Sequence, residues 1–176
     1  MTERSRNAAG AGDPLDARHW EEVEEATELL QEERPIEAIL ELRRVLGESP
    51  RNPYAFHFLG VALHETAELE ASRDAYRAAV AIAPRYLGAR LHLSHVLRQL
   101  GDARGAIEQG ETARRQAPDD PETWHALGLA HAARGDKQAA RRWLEAYLSS
   151  NPEFEVSIEV RATLERLGPA PRDEDD

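Results

Sequence analysis

Four prolines recur at intervals of 34 residues, and small residues recur in register with them. The prolines are Pro50, Pro84, Pro118 and Pro152. Twenty-four positions before each proline the residue is small: Ala26, Gly60, Ser94 and Gly128. Twelve positions before each it is small again: Ala38, Ser72, Ala106 and Ala140. A fixed period of this length indicates an array of similar units, each covered by its neighbours.

The residue types in these columns fit a pair of helices in each unit. Small residues in both columns let two helices approach closely, whereas bulky ones would hold them apart. Gly101-Asp102 and Gly135-Asp136 combine a residue that ends helices with one that begins them. Each repeat proline would end the second helix, because proline has no backbone N–H to continue it. The sequence therefore predicts an all-α fold.

The columns resemble those of the tetratricopeptide repeat (TPR) family over about residues 19 to 152. The second unit reads FHFLGVAL…ASRDAY…AVAIAP, the third LHLSHVLRQLGDARGAI, and the fourth WHALGLAH…GDKQAA. Leu59, Leu93 and Leu127 share a further column, in which the first unit has Glu25. The resemblance implies a right-handed superhelical array of antiparallel helix pairs, with about four repeats and a degenerate first one.

The array and its flanking segments divide the chain. We expect repeats at residues 19–50, 53–84, 87–118 and 121–152. Val156, Val160, Leu164 and Leu167 recur at three- and four-residue spacing, which predicts an amphipathic capping helix over residues 153–168. The leader at residues 1–18 and the acidic tail at residues 169–176 are small, polar or charged, and we expect both to be disordered.

Composition argues against several classes of function. The chain of 176 residues has no cysteine, which removes disulfides and thiolate chemistry and fits a reducing compartment. Its formal net charge of −11 disfavours nucleic acid as a partner. The N-terminal residues lack the apolar core of a secretory signal, and no later stretch is apolar for long enough to span a membrane. We therefore expect a cytoplasmic protein without membrane insertion.

Acidic residues are concentrated at the start of the array. From Trp20 to Glu41 a single arginine, Arg34, accompanies nine glutamates: Glu21, Glu22, Glu24, Glu25, Glu28, Glu32, Glu33, Glu37 and Glu41. One interpretation is a set of solvated helix faces that keep the protein in solution. The other is an acidic face that binds a basic partner at one end of the molecule. The sequence leaves both open.

The resemblance also implies a binding surface, because in TPR proteins the first helix of each unit lines the concave side of the array. Five of the seven histidines fall at these groove positions. The predicted partner-binding set is Tyr54, His57, Phe58, Val61, His64, Leu91, His92, His95, Arg98, Glu122, His125 and Leu129. Apolar and aromatic patches interrupted by adaptable polar groups suit a peptide segment.

We therefore predict a non-enzymatic adaptor or scaffold that binds a partner's segment in the concave groove, without a cofactor. The basic and asparagine positions by which many TPR proteins hold a terminal carboxylate are not matched, and Glu122 would repel one. An alternative is a small acidic TPR chaperone of a secretion system, which the size and charge also fit. A less favoured alternative is divalent-metal binding, because His57, His92 and Glu122 would converge.

Two further hypotheses concern single residue types. Unperturbed imidazoles gain charge at about pH 6 to 7, so the groove should become more cationic on mild acidification and bind acidic peptides more tightly. Gly110 occupies the column of Leu42, Tyr76 and Leu144. Either neighbouring side chains fill the space beside it, or it leaves a notch for self-association.

Overall fold

The computed structural model of the protein describes residues 14–168, which form ten α-helices and, over that range, no strand. The helices are α1 (Pro14–Glu21), α2 (Glu24–Gln31), α3 (Pro35–Glu48), α4 (Pro53–Glu65), α5 (Leu69–Ile82), α6 (Leu87–Gln99), α7 (Ala103–Gln116), α8 (Pro121–Arg134), α9 (Lys137–Ser149) and α10 (Phe154–Leu167). The predicted all-α fold is confirmed.

The leader is shorter than the sequence predicts. Residues 14–18 were expected to be disordered, but they lie in α1, which begins at Pro14 and contacts α4. Proline suits the first turn of a helix because its fixed φ is helical and its missing N–H would have no partner there. The remaining leader residues, 1–13, and the tail at 169–176 lie outside the described residues.

Consecutive helices pack against each other from α2 to α10, so the core runs along the array between successive helices. Helices α3, α5 and α7 each end two residues before a repeat proline, because the residue preceding proline disfavours the helical conformation. The amphipathic helix α10 covers α9, burying Val160 against Leu144 and Tyr147. Within residues 14–168, every helix is too short or too polar to cross a membrane.

The two columns of small residues meet inside the second and third units. The Ser72 hydroxyl donates to the carbonyl oxygen of Gly60 at 2.7 Å, and the Ser94 hydroxyl donates to that of Ala106 at 2.8 Å. A Cβ atom added at Gly60 would lie 2.6 Å from the Tyr76 ring, closer than packed atoms approach. The helices of a unit therefore lie too close together for a larger residue.

Gly110 leaves no notch. A Cβ atom added there would lie 2.9 Å from Cδ2 of Leu127, and both residues are buried. The Leu127 side chain from the next unit therefore fills the space, as in the first interpretation. This position offers no surface for self-association.

The turn between the two helices of each unit has the same backbone conformation in all four. Glu33, Ala67, Gly101 and Gly135 are spaced by 34 residues and have φ values of 58°, 61°, 83° and 83°. Only the last two are glycines, which adopt positive φ without steric cost. The turn is therefore a property of the repeat, and it is kept even where the residue carries a side chain.

Asn52 ties the first helix to the second unit. Its buried side chain accepts hydrogen bonds from the backbone N–H groups of Tyr54 and Ala55, both at 3.0 Å, and so caps α4. Its amide nitrogen donates to the carbonyl oxygen of His19 at 2.8 Å and to the Glu22 carboxylate at 3.1 Å. One side chain thus satisfies the start of α4 and holds the end of α1 against it.

Replacing Asn52 with alanine should lower the free energy of unfolding by about 2 to 3 kcal/mol, because a helix cap and two buried donor contacts are lost together. Urea unfolding followed by circular dichroism measures this change. Asp120→Ala is the matched control, since Asp120 caps α8 by accepting from the Glu122 N–H but makes no tie to another helix through that contact. Equal losses in both variants would show that the tie to α1 adds nothing.

Candidate functional site

A cavity of about 240 Å³ lies between α6 and α8, the first helices of the third and fourth units. The helices α6 and α8 also contact each other directly. Seven predicted binding residues line the cavity: Leu91, His92, His95, Arg98, Glu122, His125 and Leu129. Gly88, Ser94 and Ala126 complete the lining. Ser94 lies outside the predicted set, because its small side chain belongs to a column explained by helix packing.

The cavity has an apolar floor and one cation without a counter-ion. Leu91, Ala126 and Leu129 supply the apolar surface, and all three are partly exposed. Arg98 is half-buried, and its Nη2 lies 3.4 Å from Nδ1 of His95. No carboxylate among the described residues pairs with Arg98, and burial lowers the pKa of its guanidinium. A charge held partly out of water in this way would be stabilised by an incoming anion.

The opposite side of the cavity is acidic. The Glu122 carboxylate lies 3.8 Å from Nδ1 of His125 and accepts a 3.5 Å contact from the Tyr147 hydroxyl. The His125 ring stacks on that of Tyr147, with centroids 4.5 Å apart. Burial and the neighbouring Glu122 raise the pKa of Tyr147 to about 12, so this hydroxyl stays protonated and able to donate. The cavity therefore has two electrostatically distinct ends.

Two predicted groove residues are buried and cannot contact a ligand directly. Tyr54 is 1% exposed, with its ring between those of Trp20 and Tyr86 at centroid distances of 5.3 and 5.5 Å. His57 is 6% exposed and lies against the Tyr86 ring at 4.8 Å. These positions face the groove in the repeat pattern, but aromatic neighbours cover them here. Their assignment as partner-binding residues is corrected to packing.

The other predicted residues on α4 lie beside the cavity. Phe58, Val61 and His64 are partly exposed but do not line it. The His64 Nε2 lies 2.7 Å from the amide oxygen of Gln99, and its ring meets that of His95 at 5.5 Å. These contacts connect α4 to α6 across the groove, so the surface continues from the cavity toward the second unit.

The proposed convergence of His57, His92 and Glu122 on a metal ion is wrong. The two imidazoles lie nearly parallel, with an interplanar angle of 25° and centroids 5.0 Å apart, so they present faces to each other. Glu122 instead contacts His125 and Tyr147. Across residues 14–168 no group of three histidine, aspartate or glutamate side chains has the arrangement that a metal ion needs.

The expected charge gain at about pH 6 to 7 is also corrected for the central histidines. Burial, with like charge from His92, lowers the pKa of His57 well below its usual value. Removal from water lowers the pKa values of His92 and His95 to about 4, with His64 and Arg98 adding repulsion. This part of the groove stays neutral on mild acidification.

Comparisons with known proteins agree with this architecture. The sequence profile of the tetratricopeptide repeat matches residues 23–86 and 91–153. A TPR protein from Parabacteroides merdae ATCC 43184 superposes with a TM-score of 0.75 at 16% identity, covering 90% of this chain. This chain spans 61% of that protein. A thermophilic TPR protein from Thermus thermophilus superposes with a TM-score of 0.67 at 23% identity. The match covers 85% of this chain and 80% of the Thermus protein.

A third solved structure, of MamA from Desulfovibrio magneticus RS-1, has a TM-score of 0.68 at 15% identity and covers 90% of this chain and 97% of its own. No curated protein matches the sequence. At such low identities, these superpositions establish the fold alone, which is a solenoid of packed consecutive helix pairs. The fold supports a general role in protein–protein interaction, since TPR proteins are typically non-enzymatic interaction modules. The profile match across both halves of the array shows that this chain belongs to the tetratricopeptide repeat family.

Proposed function

We propose that the protein is a non-enzymatic adaptor that binds a segment of a partner protein in its concave groove, centred on the cavity between α6 and α8. The observation that carries this proposal is Arg98, a half-buried cation without a carboxylate partner among the described residues, beside exposed apolar side chains. An apolar patch with a few fixed polar groups is the usual form of a peptide-binding groove.

The lining defines the chemistry of the bound segment. At about 240 Å³ the cavity is smaller than pockets for drug-sized molecules, which measure roughly 300 to 1,000 Å³. It suits one or two side chains of a longer segment. Leu91 and Leu129 would contact an apolar side chain, and Arg98 would pair with an aspartate or glutamate beside it. Glu122 at the other end would repel a second acid, which sets the direction of the segment.

Peptide selection tests the proposal directly. A displayed library of random dodecapeptides selected on the full chain should return sequences in which an acidic residue lies close to a large apolar one. Arg98→Glu should weaken the binding of a selected peptide at least about tenfold, because it replaces a charge-assisted contact with repulsion. Leu129→Asp should weaken it similarly. Fluorescence anisotropy of labelled peptides measures both effects.

The matched control is Arg161→Glu, which makes the same charge change at an exposed position of α10. It should leave the affinity within about twofold, since an exposed charge far from the site is screened by salt. If Arg98→Glu and Arg161→Glu behave alike, the binding site lies elsewhere. A selection that returned only apolar peptides, without acidic enrichment, would favour the secretion-chaperone alternative instead.

A further inference from the structure

A second groove, of about 590 Å³, lies at the N-terminal end of the array between α2 and α3. Its lining mixes apolar, acidic and arginine side chains: Glu25, Glu28, Leu29, Glu32, Arg34, Glu37, Leu40, Glu41 and Arg44. Ile36 lies one helical turn from Leu40 on α3, and the two are 68% and 63% exposed. Together these residues form a surface distinct from the concave groove, called here the N-terminal face.

The exposed apolar pair is specific to the first unit. The residues equivalent to Ile36 in the second, third and fourth units are Glu70, Arg104 and Gln138. Those equivalent to Leu40 are Asp74, Glu108 and Arg142. At both positions the later units carry polar or charged residues, as expected on an outer surface. Only the first unit exposes two large aliphatic side chains there, and exposed apolar surface of this kind marks an interaction site.

The acidic part of the N-terminal face also departs from the repeat. Glu25 and Glu28 share columns with Leu93 and Val96 of the third unit, which are buried in a cluster with Tyr76 of the preceding unit. In the first unit these positions are exposed and acidic. In the third unit this face of the helix packs on the preceding unit. In the first unit the same face carries exposed negative charge.

The charges of the N-terminal face do not balance. Arg34 pairs with Glu32 and Glu37, both at 2.6 Å. Arg44 pairs with Glu41 at 2.5 Å and with Glu48 at 2.9 Å. Glu25 and Glu28 have no cation partner among the described residues. The face thus combines an apolar strip with two uncompensated carboxylates, and only a cationic ligand complements both.

We propose that the N-terminal face binds a basic amphipathic segment of a partner protein. Apolar side chains of the segment pack on Leu29, Ile36 and Leu40, and its lysines or arginines pair with Glu25 and Glu28. Helices with one apolar and one charged face commonly bind grooves in this way. The concave groove, by contrast, offers Arg98 to an acidic segment. An adaptor with both surfaces holds two partners of opposite charge at once.

A synthetic peptide provides the test. The probe is a labelled 14-residue peptide of leucine and lysine with leucines at helical spacing, compared with a peptide in which glutamate replaces every lysine. The full chain should bind the lysine peptide and not the glutamate peptide. Glu25→Gln/Glu28→Gln and Ile36→Ser/Leu40→Ser should each weaken binding about tenfold, with little effect on the circular dichroism spectrum, because these side chains are exposed.

The matched control lies at the other end of the array. Helix α10 also exposes Phe154 and Ile158 beside Glu155 and Glu159, so Glu155→Gln/Glu159→Gln removes the same charge next to similar apolar surface. It should change the affinity by less than about twofold if binding is local. Equal weakening by both charge variants would show a non-specific response to net charge and overturn the proposal. Arg98→Glu should leave this peptide unaffected, which separates the two binding surfaces.

The proposal would also be overturned if either of two other segments occupied the N-terminal face. If analytical ultracentrifugation showed a concentration-dependent dimer that Ile36→Ser/Leu40→Ser abolishes, the occupant would be a second copy of this chain. If the peptide bound only after Arg4→Ala/Arg6→Ala, the occupant would be the chain's own N-terminal segment. Peptide binding by a monomeric wild-type chain supports a separate basic partner.

Discussion

Gly128→Val is expected to lower the free energy of unfolding by about 3 kcal/mol and the thermal midpoint by about 10 °C. A Cβ atom at Gly128 would lie 2.5 Å from Cδ2 of Leu144 and 3.2 Å from its backbone nitrogen. Leu144 is completely buried between α8 and α10, so its side chain has little room to move away. The two helices of the fourth unit would have to separate, which weakens packing along the rest of the array.

Gly47→Ala is the control, because Gly47 also lies in a helix, in the last turn of α3, but has no atom within 4 Å of an added Cβ. This change should raise stability by about 0.5 to 1 kcal/mol, since alanine favours the helix and restricts the unfolded chain. Urea and thermal unfolding of the two variants should therefore move in opposite directions. Destabilisation of both would mean that the glycines matter for the backbone and not for the helix–helix distance.

The fold could be predicted because the repeat columns report contacts that are the same in every unit. Ser72 and Gly60 contact each other within the second unit as Ala106 and Ser94 do within the third, and this recurrence makes the contact visible as a period. The role of Asn52 could not be read in this way. Its tie to α1 occurs once, at the end of the array, so no second copy of the pattern exists to reveal it.

The candidate site was predicted only in part, because repeat positions give the direction of a side chain and not what covers it. His92 and His125 line the cavity as expected. His57 has the same repeat position as His125 but is covered by Tyr86. The covering comes from Tyr86, the residue just before α6, and no period encodes it.

The burial of His57 also predicts a pH effect on stability. Burial, and then the neighbouring His92, hold the pKa of folded His57 well below the value of about 6.5 for an unfolded histidine. In the window below pH 6.5 the unfolded chain therefore binds a proton that the folded chain does not. The stability contributed by this residue is present above pH 6.5 and is lost as the pH falls through that window. The loss from this one residue grows as the pH falls further below 6.5, because each proton taken up by the unfolded chain has no counterpart in the folded chain.

Replacing His57 with phenylalanine should remove this dependence. The Nδ1 atom of His57 is buried without a hydrogen-bond partner among the described residues, and the aromatic rings of Phe58, Tyr76 and Tyr86 surround the imidazole. A phenyl ring avoids the cost of burying an unpaired nitrogen, so stability at pH 7.5 should be equal or higher. Urea unfolding at intervals from pH 7.5 to 4.5 should show that the variant loses less free energy of unfolding than the wild type over this range.

His131→Phe is the control, because it also replaces one buried histidine with phenylalanine. His131 is also buried and its pKa is lowered by burial, but Asp136 at 3.4 Å opposes that lowering. Its replacement should therefore reduce the pH dependence by less than the His57 variant does. Both variants keep the same 33 aspartates and glutamates, so acid effects from the carboxylates that contact neither histidine cancel in the comparison. Parallel stability curves for wild type and His57→Phe would mean that the folded chain protonates His57 as readily as the unfolded one, and that the ring stack opens to water.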